Sequence, residues 1–196
     1  MLNCLEEVDK LKDSKELNFY QIIAAAAFLF FSKKKLDVWI LEVGLGGRLD
    51  PANYFDADIS VITKIALDHE NILGKGVENI GREKAGIFRT NQTVIFGEGS
   101  IPNSVLKIVE KLNVDLHKVD GTNLESAYFH KNSLGISKKI FELQFPEIDA
   151  KSELEKIDEF EFLGRNHLVL KNLLLDVSHN SDTVSYTHLR AHETHP

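Results

Sequence analysis

Short apolar runs rich in β-branched and aromatic residues recur along this chain and alternate with segments of helical periodicity. The runs lie at residues 37–43, 58–63 and 92–96, and a further strand is predicted at 114–119. A run that is apolar on both faces is typical of a strand in the centre of a parallel sheet. The alternation therefore predicts an α/β fold with a mainly parallel sheet.

The segments between these runs indicate the other elements. Helices are predicted at residues 17–32, 77–88 and 101–112, the first as a buried helix rich in Ala and Phe. Residues 126–145 alternate over short distances, which favours antiparallel strands. Residues 151–161 are acidic and predicted to be exposed, and 171–177 again fit a buried strand.

Composition excludes several classes of protein. The chain has 196 residues and a net charge of −7 without a basic block, which makes non-specific binding to nucleic acid or to an acidic membrane a poor hypothesis. The apolar stretch 22–31 is too short to span a bilayer. A single cysteine, Cys4, excludes an internal disulfide framework and fits a reducing cytoplasm.

Polar side chains follow the predicted strands, where α/β folds bind ligands. Glu42 is followed by a segment with Gly44, Gly46 and Gly47, and Asp68 and His69 follow the second strand. Further polar groups occur at residues 82–84 and 176–180. If the strands are parallel, these groups converge at one edge of the sheet.

Two nucleotide-binding motifs are excluded. Leu49 stands where the dinucleotide fingerprint needs its third glycine. After Gly74-Lys75-Gly76, Val77 stands where a P-loop needs a hydroxyl. The sequence is thus expected to carry no phosphate-binding loop of its own.

Four strings in order, LEVGLGGRLDPAN, ITKIALDHENILG, IGREKAGIF and LLLDVSHN, resemble the folylpolyglutamate synthase/dihydrofolate synthase family. This family is the folate branch of the Mur-ligase superfamily. The resemblance implies a partial central ATPase domain over residues 1–165 and the start of a Rossmann-like C-terminal glutamate-ligase domain over 166–182. Residues 183–196 resemble a translated sequencing adapter, so the histidines there are not interpreted as a metal site.

The resemblance also implies an activity. Members of the family use ATP and Mg²⁺ to join L-glutamate to a folate or dihydropteroate carboxylate through an acyl phosphate, and a cytoplasmic monomer is expected at full length. In the family the ATP-binding glycine-rich loop precedes the region matched here. The isolated chain is therefore expected to be inactive and to fold poorly.

Individual residues acquire roles from the same resemblance. Glu42 and His69 match metal ligands, and Lys84 matches a lysine that becomes a ligand when carbamylated; these three form the expected catalytic group. The positions expected to bind nucleotide are Arg165, Asp176, His179 and Asn180.

Three alternatives remain open. The chain could derive from another Mur-type amide ligase, or be a truncated remnant that binds without catalysis. A metal-dependent hydrolase built on Glu42, Asp68 and His69 would need neither ATP nor glutamate.

Overall fold

The computed structural model describes residues 1–12, 16–126 and 128–157, and the backbone of 167–170 and 173–175. The chain divides into two compact units, residues 1–56 and 57–196. The helices are α1 (Leu2–Leu11), α2 (Phe19–Ser32), α3 (Glu70–Leu73), α4 (Val77–Lys84), α5 (Asn103–Leu112), α6 (Lys131–Gln144) and α7 (Ala150–Glu155). The strands are β1 (Ile59–Lys64), β2 (Thr93–Glu98), β3 (Asp115–Lys118), β4 (His167–Leu170) and β5 (Leu173–Leu175).

The first unit is built on the pair of helices α1 and α2. Cys4 and Val8 of α1 pack with Ala26 of α2 in a small apolar cluster. The helix predicted at 17–32 is confirmed, but of its side chains only Ala26 is buried, and Phe19 is 81% exposed. No helix among the described residues is long and apolar enough to cross a bilayer.

The strand predicted at residues 37–43 is wrong. Trp39 packs against the rings of Phe31 and Phe55, with centroids 5.4 and 5.6 Å away, while Ile40 is 89% exposed. A strand is defined by ladder hydrogen bonds to a neighbour, and none of the described residues pairs with this segment. The apolar pattern predicts a strand here, but the pattern alone does not provide the neighbouring strand that a ladder requires.

The second unit contains the predicted parallel sheet. Its strands lie in the order β1-β2-β3, and both pairs are parallel. In register, Ile62 pairs with Phe96, and Phe96 pairs with Lys118. The strands predicted at 58–63, 92–96 and 114–119 are confirmed within two residues, as are the helices predicted at 77–88 and 101–112, the former ending in the 3-10 turn Ala85–Ile87.

Helices cover both faces of this sheet. Val94 and Phe96 point to one face, where they pack with Val105 of α5 in the main apolar core. Strand geometry turns alternate residues to the opposite face, where Gly97 lies against α6. This layered arrangement explains why the strands are apolar on both faces.

The antiparallel strands predicted at 126–145 are wrong, because most of this segment is the helix α6. His130 begins it by accepting a hydrogen bond through Nδ1 from the N–H of Asn132 at 3.2 Å. Leu134 packs toward α7, whereas the Ile136 side chain lies at Gly97 of the sheet. A helix buried on two sides places apolar residues two apart, which imitates the alternation of a strand.

The later predictions are only partly described. The acidic segment predicted to be exposed overlaps α7, in which Leu154 is buried. β5 lies within the strand predicted at 171–177 and pairs antiparallel with β4. The predicted domain boundary at residue 165 and the segment 183–196 lie outside the described residues, so both stay predictions.

Glu78 of α4 caps a neighbouring helix and should make stability depend on pH. Its carboxylate accepts backbone hydrogen bonds from Ser104 at 2.6 Å and Asn103 at 3.1 Å, at the start of α5, where Pro102 has no side-chain acceptor. The Ser104 N–H is the main reason that the pKa of Glu78 is lowered. A lowered folded-state pKa stabilises the fold above the unfolded pKa, and this contribution disappears as pH falls through the folded value.

We therefore expect Glu78→Gln to melt at a lower temperature than the parent chain at neutral pH. The difference should shrink as the pH falls through the folded pKa of Glu78. Glu110→Gln, an exposed position on α5, is the matched control. A difference in melting temperature that stays constant across this pH range would contradict the assignment.

Candidate functional site

Asp50 organises the glycine-rich segment of the first unit. Its Oδ2 accepts hydrogen bonds from the backbone N–H groups of Gly44 at 3.0 Å and Leu45 at 3.2 Å. Its Oδ1 accepts from the N–H of Ala52 at 2.9 Å and so caps the 3-10 helix Pro51–Tyr54. A carboxylate that accepts three backbone N–H groups holds this loop in one conformation.

The phenol of Tyr20 joins helix α2 to the same loop. Its Oη accepts from the N–H of Gly44 at 3.1 Å, and it lies 3.3 Å from Asp50 Oδ1 and 3.4 Å from the carbonyl oxygen of Glu42. Burial, followed by the charge of Asp50, raises the pKa of the Tyr20 phenol. A Cβ at residue 44 would lie 2.9 Å from Cζ of Tyr20, so the phenol ring packs directly against Gly44.

Glu42 itself is exposed and directly precedes the loop. Its carboxylate is therefore free to face a ligand, while its backbone is held through the contact with Tyr20. The sequence analysis identified Glu42 and the glycines but missed Tyr20. The one signal for Tyr20 was a hydroxyl in the first turn of an otherwise apolar helix.

In the second unit, Asp68 and His69 lie in the connection after β1. His69 has a left-handed backbone, with φ 52° and ψ 32°, and stands at the N-cap of α3. Asp68 Oδ1 accepts from the His69 N–H at 2.8 Å and lies 3.7 Å from His69 Nε2. The His69 side chain is 52% exposed and can be reached by a ligand.

Lys84, the last residue of α4, is half-buried. Burial penalises its ammonium form and lowers the pKa, and the negative charge of Asp68 opposes that shift. Asp68 therefore contacts His69 and interacts electrostatically with Lys84, the two predicted site residues of this unit. Arg165, Asp176, His179 and Asn180 lie outside the described residues.

Whether Glu42, His69 and Lys84 are suitable ligands for a divalent cation depends on the donor atoms that their side chains offer. A carboxylate at Glu42 and an imidazole at His69 are suitable ligands, but the ammonium of Lys84 has only donors and cannot coordinate. As a carbamate, Lys84 would offer anionic oxygens. In the part of the chain that the structure describes, no three His, Cys, Asp or Glu side chains form a metal-binding group.

The left-handed backbone at His69 predicts an unusual order of stability. A Cβ in this conformation costs about 1 kcal/mol, which glycine avoids. We expect His69→Gly to unfold at higher urea concentration than His69→Ala, although both variants lose the imidazole. Equal stability, or a more stable alanine variant, would contradict the strain.

Comparison with known proteins agrees with the motifs. No protein-family model matches the chain. The dihydrofolate synthase/folylpolyglutamate synthase of Buchnera aphidicola subsp. Schizaphis graminum is 35% identical over 202 residues, which is 91% of this chain and 48% of that protein. The predicted resemblance is thus confirmed by a relative matched along most of the chain.

Solved structures give the same result and confirm the α/β fold. E. coli FolC in complex with DHPP and ADP superimposes with a TM-score of 0.83 and 28% identity, over 98% of this chain and 52% of that chain. A bifunctional folylpolyglutamate synthase/dihydrofolate synthase with Mn, AMPPNP and L-glutamate bound matches with a TM-score of 0.83 and 30% identity, over 97% of this chain and 52% of that chain. In sequence and in fold, the chain is a relative of the dihydrofolate synthase/folylpolyglutamate synthases and spans about half their length.

Proposed function

We propose that the protein carrying this chain is an ATP-dependent ligase that adds L-glutamate to a folate or dihydropteroate carboxylate. The observation that carries the proposal is the match over nearly the whole chain to relatives solved with a nucleotide and, in one case, L-glutamate. The proposal includes a cytoplasmic monomer that uses Mg²⁺, in place of the Mn named in the relative's structure.

The proposed reaction has two steps. The substrate carboxylate attacks the γ-phosphorus of ATP, which forms an acyl phosphate and releases ADP. The amino group of glutamate then attacks the acyl carbon, a C–N bond forms, and the C–O bond to phosphate breaks. The nitrogen loses a proton, and the products are an amide, ADP and inorganic phosphate.

The proposed metal ligands come from both units, and each has its own role in this reaction. Glu42 supplies an anionic oxygen from the first unit, and its loop is held by Asp50. His69 supplies an imidazole nitrogen and Lys84, as a carbamate, a further anionic oxygen from the second unit. Groups of these kinds would hold a divalent cation, which would supply positive charge against the phosphoryl group that is transferred.

Lys84 is well placed for carbamate formation because the free amine, which reacts with carbon dioxide, is favoured where an ammonium is half-buried. Arg165, Asp176, His179 and Asn180 keep their proposed roles in nucleotide binding.

The proposal is tested by measuring ADP release and product mass for the longest protein that the gene encodes, with the 196-residue chain assayed in parallel. ADP release should require both glutamate and a pteroate substrate, and the product should gain one glutamyl residue. Turnover with a UDP-sugar peptide instead would indicate another Mur-type ligase. Hydrolysis without ATP would indicate a metal-dependent hydrolase, and binding without turnover would indicate a remnant.

A further inference from the structure

The helix α6 has a histidine as its N-cap. This position favours Asn, Asp, Ser and Thr, whose side-chain oxygen accepts a hydrogen bond from a backbone N–H of the first turn. Here Nδ1 of His130 accepts from the N–H of Asn132 at 3.2 Å. A ring nitrogen accepts a hydrogen bond only when it carries no proton. The cap of α6 therefore exists only while Nδ1 of His130 is unprotonated.

A carboxylate of the sheet faces the same ring nitrogen. Glu98, the last residue of β2, has Oε2 4.0 Å from Nδ1 of His130. Its Oε1 lies 3.5 Å from Nζ of Lys64, the last residue of β1. The His130 side chain is 38% exposed, so a proton from solvent can reach the ring. Once protonated, Nδ1 becomes a donor with a carboxylate oxygen close to it.

Other charged groups of the elements around α6 form ion pairs of their own. They are Lys131–Glu125 at 3.3 Å, Lys118–Asp120 at 2.6 Å, Lys151–Glu155 at 3.7 Å, Lys156–Glu153 at 2.7 Å and, within α6, Lys139–Glu142 at 3.2 Å. The pair between His130 and Glu98 differs from these because its charge depends on the protonation of an imidazole, which changes near neutral pH.

Protonation of His130 also places a positive charge at the unfavourable end of a helix. The backbone N–H groups in the first turn of α6 carry partial positive charge, which the dipole of a 14-residue helix reinforces. The imidazolium is therefore repelled from the cap position and attracted by Glu98. Both effects favour the same exchange of partners.

The residue that His130 caps also joins α6 to the sheet. Asn132 is buried, and its Nδ2 donates to the carbonyl oxygen of Thr63 in β1 at 3.1 Å. The capped N–H and the side chain that binds the sheet thus belong to one residue. Loss of the cap would leave the N–H of Asn132 without its acceptor where α6 meets the carboxyl end of β1.

We infer that His130 is a pH-dependent cap of α6, which binds the N–H of Asn132 when neutral and exchanges it for Glu98 when protonated. The exchange loosens the first turn of α6 at the carboxyl edge of the parallel sheet. It is a local change of charge that acts on a hydrogen-bonded helix end. The inference does not depend on the proposed function.

The test is a pH titration of the 196-residue chain by NMR, with the imidazole of His130 and the backbone amide of Asn132 as probes. As the pH falls from about 8 to about 5, the range in which an ordinary imidazole titrates, the amide proton of Asn132 should shift upfield. Its midpoint should equal that of the His130 ring. His130→Asn keeps a favoured N-cap that does not ionise, so in this variant the amide should stay at its hydrogen-bonded position throughout.

Glu98→Gln tests the second partner. The midpoint of His130 should fall by about half a pH unit, because the imidazolium loses a carboxylate. Glu147→Gln, at an exposed position between α6 and α7, is the matched control and should leave the midpoint unchanged. An Asn132 amide that stays in place while His130 titrates, or that shifts equally in His130→Asn, would overturn the inference. A midpoint unaltered by Glu98→Gln would also overturn it.

Discussion

Replacing Lys84 by arginine is expected to lower kcat/KM for glutamate addition by about 10²–10³-fold, the scale of losing one preorganised electrostatic group. Arginine keeps a positive charge at the end of α4 but cannot form a carbamate. If Lys84 acted simply as a cation, arginine would retain much of the activity. The loss is expected because the proposed role of Lys84 is to supply an anionic oxygen as a carbamate.

The activity loss can be tied to the modification by a second readout. With carbon-13-labelled bicarbonate, the parent protein should show a carbamate resonance in its NMR spectrum, and Lys84→Arg should lose it. Lys111→Arg, at an exposed lysine in the last turn of α5, is the matched control and should keep both resonance and activity. Full activity in Lys84→Arg would contradict the proposed carbamate.

Replacing Gly97 by alanine is expected to lower the free energy of unfolding by about 3 kcal/mol or more. A Cβ at this position of β2 would collide with the backbone carbonyl oxygen of Thr63 in β1, and would lie 2.8 Å from Ile136 Cδ1 and 2.9 Å from Asn132 Nδ2. The carbonyl belongs to the neighbouring strand, so it cannot move aside without disturbing the sheet.

Urea unfolding of Gly97→Ala measures this effect, and Ser133→Ala, exposed in the first turn of α6, serves as the control. The double variant Gly97→Ala, Ile136→Ala should not recover stability, because removing the isoleucine leaves the backbone obstacle in place. A loss below about 1 kcal/mol in the single variant would contradict the close packing described at Gly97.

The parallel sheet could be predicted because its signals lie in short contiguous segments of the sequence. The strands β1 and β2 are apolar on both faces, and each is followed by a helix with apolar residues on one side. The two wrong predictions depend instead on contacts between segments that are distant in the sequence. At residues 37–43 no described strand pairs with the segment, so the predicted strand does not form. In α6 the helix is buried on two sides, and the buried Leu134 and Ile136, two residues apart, give the alternation that is typical of a strand.

The candidate site shows the same division. Glu42, His69 and Lys84 are predicted site residues because each lies in a motif that is contiguous in sequence. The contact between Tyr20 and Asp50 joins residues thirty positions apart, and the left-handed backbone at His69 is not encoded by a glycine. Such features depend on tertiary contacts and backbone geometry, which residue spacing in a single sequence does not specify.

The most direct test of the proposed function is the dependence of ADP release on glutamate and on 7,8-dihydropteroate or a reduced folate, in the longest protein that the gene encodes. We expect release with ATP, a divalent cation and both substrates together, and a background rate when either substrate is omitted. The product should carry one more glutamyl residue than the pteroate substrate. ADP release that is indifferent to glutamate, or a folded protein that binds ATP without forming the amide, would contradict the proposed ligase.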